Sequence, residues 1–141
     1  MYPEGREILV VDDNRERREH IARILADEGF TVAAAAEGLS ALRVAGAKRF
    51  ALAIAAVRLP GLLDGPTTLR QVRARQPGLR VLYIDDYAAL PEHRNPDTDD
   101  FIAAPFERRE LLGCVFELLQ RGDARTAPDL VCRVRTELRA P

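Results

Sequence analysis

Apolar and polar positions follow one another along the chain in blocks that predict a repeating strand-then-helix order. Residues 8–11 form an unbroken apolar run of the kind a strand shows when both of its faces are covered. Asp12, Asp13 and Asn14 end that run with residues that favour turns and helix N-caps. A helix is predicted over 15–28, where Ile21, Ile24, Leu25 and Glu28 recur at helical spacing before Gly29 stops it. Strand candidates follow at 30–34, 50–57, 79–84 and 101–103. Helices are predicted over 37–48, through Leu39, Leu42 and Ala45, over 66–76, and over 107–120. The run at 50–57 is almost wholly apolar, as in a central parallel strand, and its alanines leave little side-chain volume. Between 85 and 100, Pro91, Asn95-Pro96 and repeated aspartates oppose a regular helix over most of the segment.

Strands alternating with helices at short spacing imply parallel pairing through right-handed crossovers, hence a three-layer α/β sandwich. In such sheets, function gathers at the carboxyl ends of the strands. That rule alone singles out Asp12, Asp13, Ala56, Ile84, Asp85 and Ala104.

At 141 residues the chain fits one domain with one real core. We expect this domain over 1–122 and a tail over 123–141, in which Leu130, Val134 and Leu138 outline a short amphipathic helix. A hydrophobic share of 47% beside 30% charged residues is ordinary for a globular protein, and no apolar run nears the roughly 20 residues of a membrane span. The short apolar run near the start lacks a basic leader and a cleavage site, so a cytoplasmic location and no membrane association are expected. Two cysteines, Cys114 and Cys132, lack metal-ligand spacing and are read as reduced thiols. A net charge of −1 argues against autonomous nucleic-acid binding. The arginines of the tail, Arg121, Arg125, Arg133, Arg135 and Arg139, keep such binding open as an alternative of another class.

Three ordered stretches resemble the receiver domains of two-component response regulators. Val10-Val11-Asp12-Asp13-Asn14 is similar to that family's first-strand motif, whose acidic pair binds Mg²⁺. Leu59-Pro60-Gly61 with Asp64-Gly65 resembles the loop after the phospho-acceptor, and Pro105-Phe106 resembles the family's Lys-Pro-Phe. The resemblance implies a flavodoxin-like (βα)5 fold, a five-stranded parallel sheet in the order 2-1-3-4-5, and an irregular fourth crossover helix.

Carried over position by position, the resemblance also implies three losses. The acceptor position, four residues before Pro60, is Ala56; the hydroxyl position is Ile84; the lysine position is Ala104. These residues would have supplied a carboxylate nucleophile, a hydroxyl that bonds the phosphoryl group, and a cation that neutralises it. What remains is a depleted metal site at Asp12 and Asp13, expected to bind Mg²⁺ weakly, or a simple helix cap by Asp13 or Asn14. Arg58 is a candidate pocket cation that could reach back to these acids. Asp85 or Asp64 is an alternative acceptor, although strand alternation would turn Asp85 away if Ile84 faces the pocket. Phe101 matches the family's aromatic switch position and is expected to be fixed core, whereas His20 and His93 are expected on the surface.

The expected function is that of an atypical pseudo-receiver. It would be a phosphorylation-independent, non-enzymatic interaction module with no required cofactor. Its partner would be a histidine kinase, a phosphotransfer protein or another signalling protein, or a second copy in a homodimer. The partner face would run from about Tyr87 through Phe101 and Pro105 to Gln120.

Overall fold

A computed structural model describes residues 7–85 and 98–121. The predicted alternation is realised as β1 (Glu7–Val11), α1 (Arg15–Asp27), β2 (Thr31–Ala35), α2 (Gly38–Ala45), β3 (Leu52–Ala56), α3 (Gly65–Arg75), β4 (Arg80–Asp85), β5 (Asp99–Ala103) and α4 (Arg108–Gln120). The strands form one parallel five-stranded sheet in the order β2-β1-β3-β4-β5, the flavodoxin-like order expected. The fourth crossover, expected to be irregular and to hold Tyr87 and His93, and the tail at 123–141 lie outside the described residues.

Because successive strand residues face opposite ways, the sheet divides the core in two. Ile8, Val10, Ile54, Leu82, Ile84 and Ile102 meet Ile21, Ile24 and Leu25 of α1 and Leu111, Val115 and Leu118 of α4. On the other face Leu9, Val11, Val81, Tyr83 and Phe101 meet the small residues of α2 and Leu69 and Val72 of α3. The alanines have a structural use here. Ala41, Ala45, Ala53 and Ala55 keep this layer thin, and a Cβ on Gly38 would come within 2.4 Å of Thr68 Oγ1 and 2.8 Å of Leu63 Cβ. So α2 is drawn close against α3. Its buried stripe is Gly38, Ala41 and Ala45 rather than the predicted Leu39, Leu42 and Ala45, and Leu39 is left 53% exposed.

Local chemistry sets the element ends. Asn14 caps α1 and Asp64 caps α3, each accepting from the backbone N–H three residues on, at 3.0 and 2.9 Å. Glu107 and Glu110 form a capping box at the start of α4. Gly29 takes φ 95° just past α1, the left-handed conformation predicted for its helix stop.

Asp99 and Asp100, predicted to precede the fifth strand, are instead the buried first residues of β5. Arginines make this tolerable. Arg73 of α3 donates to Asp99 Oδ1, and Arg121, following α4, donates to Asp100 Oδ2 at 3.1 Å. A carboxylate with a fixed guanidinium partner can be buried where an unpaired one cannot. Cys114, expected as a reduced thiol, is disulfide-bonded.

Tyr83 lies in the α2–α3 core layer at 4% exposure. Burial, and then the neighbouring negative charge of Asp99, push its phenol up to about 12, while Arg73 pulls the other way. Above about pH 10 the unfolded chain releases this proton while the folded chain keeps it, so stability falls as pH rises from about 10 to about 12. Urea midpoints followed across that range should fall faster for the wild type than for Tyr83→Phe, and parallel curves would contradict this.

Candidate functional site

β1 delivers Asp12 to the carboxyl edge of the sheet, and the Asn14 cap starts α1 at once. Helical side chains lean toward the N-terminus, so Arg17 in the first turn is thrown back over Asp12. Arg17 Nη2 donates to Asp12 Oδ1 at 3.0 Å, and Arg17 Nε donates to Asp12 Oδ2 at 2.5 Å. Asn14 N adds a third bond, to Oδ1 at 3.0 Å, while Arg18 Nη1 donates to the Asp12 carbonyl oxygen at 2.8 Å. Exposure of the two side chains is 1% for Asp12 and 20% for Arg17, which shelters this bidentate pair from solvent screening. The hydrogen bond to Asp12 raises the guanidinium pKa above its ordinary value. Burial opposes the rise, and the charges of Asp12, Asp85 and Asp13 add to it.

A cleft of about 580 Å³ opens beside this pair, lined by Asn14, Glu16, Arg17, His20, Asp85 and the segment Ala104-Pro105-Phe106. The Ala104–Pro105 bond is cis. His20 is exposed on α1, with its ring 6.1 Å from that of Phe106. Phe101 is 3% exposed within the α2–α3 core layer. Asp13 is exposed at the head of α1. Ala56 ends β3 fully buried and in register with Ile84. Directly behind it, a Cβ on Gly65 would lie 2.0 Å from the Ala56 carbonyl oxygen, so the β3–α3 loop closes tightly on this strand end.

Two expected placements are corrected. Ile84 does not face the pocket: it is wholly buried against α1 and α4, and Asp85, the last residue of β4, lines the cleft instead. Alternation along β4 holds, but with the opposite phase to the one assumed, so that Asp85 and not Ile84 reaches the cleft. Arg58 does not pair with Asp12. Its backbone N–H donates to Asp85 Oδ2 at 3.1 Å, and its guanidinium, 63% exposed, lies 3.6 Å from Asp85 Oδ1. The cation on Asp12 is Arg17. Sequence reasoning passed over it as one of the charged residues on the polar face of α1, although a first-turn arginine following a capped acidic strand end is a local signal. Asp64 has its carboxylate committed to the α3 cap.

As placed, these residues do not fit Mg²⁺, which takes an octahedron of oxygens. Both oxygens of Asp12 already accept from Arg17, Ala56 has no side-chain oxygen, and no group of three metal-ligating side chains occurs among the described residues.

The fold and the cleft at its carboxyl edge define a receiver-type signalling domain. The chain belongs to the response regulator receiver domain family, whose model matches residues 8–116. It is 31% identical over 117 residues to the transcriptional regulatory protein TctD of Salmonella typhimurium, covering 81% of this chain and 52% of that protein. Identity to the response regulator MprA of Mycobacterium ulcerans is 34% over 117 residues, 81% of this chain and 50% of MprA. The chain thus spans about half the length of these curated relatives. Among solved structures it is similar to the receiver domain of the sensor histidine kinase PA1611 of Pseudomonas aeruginosa, which carries a magnesium ion in its active-site cleft. The TM-score there is 0.70 at 30% identity, covering 82% of this chain and 98% of the other.

Removing Arg17 leaves a buried carboxylate without its counter-charge, whereas the Arg58 guanidinium is 63% exposed and 3.6 Å from Asp85, and the backbone N–H of residue 58 still donates to Asp85 when the side chain is cut back. Arg17→Ala should therefore cost about 3 kcal/mol and Arg58→Ala less than about 1 kcal/mol, read from urea denaturation of the two variants.

Proposed function

We propose that this receiver domain works in two-component signalling without phosphorylation on the usual aspartate, as a pseudo-receiver that binds a protein partner. The observation that carries this reading is Ala56. It ends the central strand β3 four residues before Pro60, where the family's acceptor falls, and its methyl group has no oxygen to accept a phosphoryl group. Ala104 beside the cleft likewise offers no cation to neutralise one. The domain then acts as a binding module rather than an enzyme and requires no cofactor. No helix among the described residues is long and apolar enough to cross a membrane, and the reading places the domain in the cytoplasm. Its partner is a histidine kinase, a phosphotransfer protein or another signalling protein, a class that the names of its relatives include. The described part of the partner face is β5, Pro105 and α4, a face that would also serve a homodimer.

A second reading has one observation in its favour. Asp85 is 8% exposed and lines the cleft, so a relocated acceptor on β4 is better placed than alternation suggested. Its carboxylate already accepts from Arg58 N, however, and no lysine faces it from position 104. Incubation with acetyl phosphate and Mg²⁺ followed by intact-mass measurement separates the two. No adduct is expected. A stoichiometric adduct that disappears in Asp85→Asn would replace the first reading with the second.

A further inference from the structure

Asp12 lies beside the cleft with both side-chain oxygens bonded to one guanidinium, that of Arg17 in the cleft wall, and that guanidinium sits in the combined field of Asp12, Asp85 and Asp13. A cation in that place has three carboxylates acting on it, none of which comes from β3, where Ala56 stands. We propose that Arg17 is the resident cation of this pocket, fixed in the chain itself, and that it makes the domain indifferent to divalent metal. This deepens the phosphate-free reading above and rests on it for the meaning of the pocket.

The argument is one of competing charges. To bind at Asp12, a divalent ion has to displace two charge-assisted hydrogen bonds and then stand beside the displaced guanidinium, in a sheltered site where like charges repel strongly. Arg17 cannot relieve the conflict by losing its proton, because arginine stays charged in proteins. Nor does it swing away freely. Its backbone N–H is held by the Asn14 cap at 3.0 Å, and its side chain is already packed in the wall of the cleft. Tethering supplies the rest: Asp12 and Arg17 are joined through one strand end and one helical turn, so the pair forms at high effective concentration while a free ion must be recruited from solution.

The test is Mn²⁺ binding followed by electron paramagnetic resonance, with thermal melting in millimolar Mg²⁺ as a second readout, and no phosphoryl donor is present. A chain phosphorylated on Asp85 in the earlier experiment would therefore remove that reading without touching this one. Wild type should melt at the same temperature with and without Mg²⁺. Arg17→Gln, which keeps a polar side chain but removes the charge, should bind Mn²⁺ at least roughly ten-fold more tightly than wild type and be stabilised by Mg²⁺. Arg17→Lys, which keeps the charge, should behave as wild type and stands in as the folded comparison if Arg17→Gln is unstable. Mn²⁺ affinity in the wild type equal to that of Arg17→Gln, or Mg²⁺ stabilisation of the wild type, would overturn the proposal. So would Mn²⁺ binding by Arg17→Lys that is tighter than wild type.

Discussion

A carboxylate at 1% exposure is tolerated in a protein only when something of opposite charge meets it at hydrogen-bonding distance, and for Asp12 that partner is Arg17. The remainder of the carboxyl edge is arranged around this pair. Asn14 caps α1 and thereby fixes the turn from which Arg17 reaches back, while Arg18 holds the Asp12 carbonyl from the next position. Asp85 enters the same cleft from β4 and takes its own bonds from Arg58. The carboxylates of Asp12 and Asp85 are thus met by side chains and backbone of the chain itself.

The same solution recurs at the edge of the sheet. β5 opens with two buried aspartates, and each is met by an arginine from a different covering helix or its end, Asp99 by Arg73 and Asp100 by Arg121. These pairs link β5 to the layers on both of its faces. A pairing of this kind adds little net stability over an apolar contact, but it is costly to break from one side, so it fixes position more than it deepens the energy well. On the proposed partner face of β5 and α4, fixed position is what a partner would recognise. The absence of a carboxylate at Ala56 and the presence of Arg17 on Asp12 are two sides of one arrangement. On the proposed phosphate-free reading the site has no phosphoryl group to hold and no need to keep a metal, and Asp12 is matched internally.

Much of this was legible in the sequence, and the limits have physical causes. Unbroken apolar runs at 8–11 and 50–57 announced buried parallel strands because both sheet faces are covered, and the acidic, Pro-Gly and Pro-Phe stretches fixed the family. Side-chain direction at strand ends was less legible. Whether Ile84 or Asp85 faces the cleft turns on the phase of alternation in β4, which the apolar pattern leaves open, and a terminal aspartate reads as loop until its pairing is seen. Asp99 and Asp100 were misplaced for the same reason, since their arginine partners lie about 20 residues or more away in sequence. Leu39 was misread because the close approach of α2 to α3 at Gly38 depends on tertiary fit and not on helical period. Arg17 was the avoidable omission: its partner is five residues away, within reach of helix-cap geometry.

If the Asp12–Arg17 pair is what organises the pocket, the two side chains must be energetically coupled and not merely adjacent. A double-mutant cycle built from Asp12→Ala, Arg17→Ala and the double variant, with stabilities from urea denaturation, measures that coupling directly. The account predicts a coupling of about 2 kcal/mol or more, with the double variant less damaged than the sum of the single ones. Additive losses, with a coupling below about 0.5 kcal/mol, would contradict it.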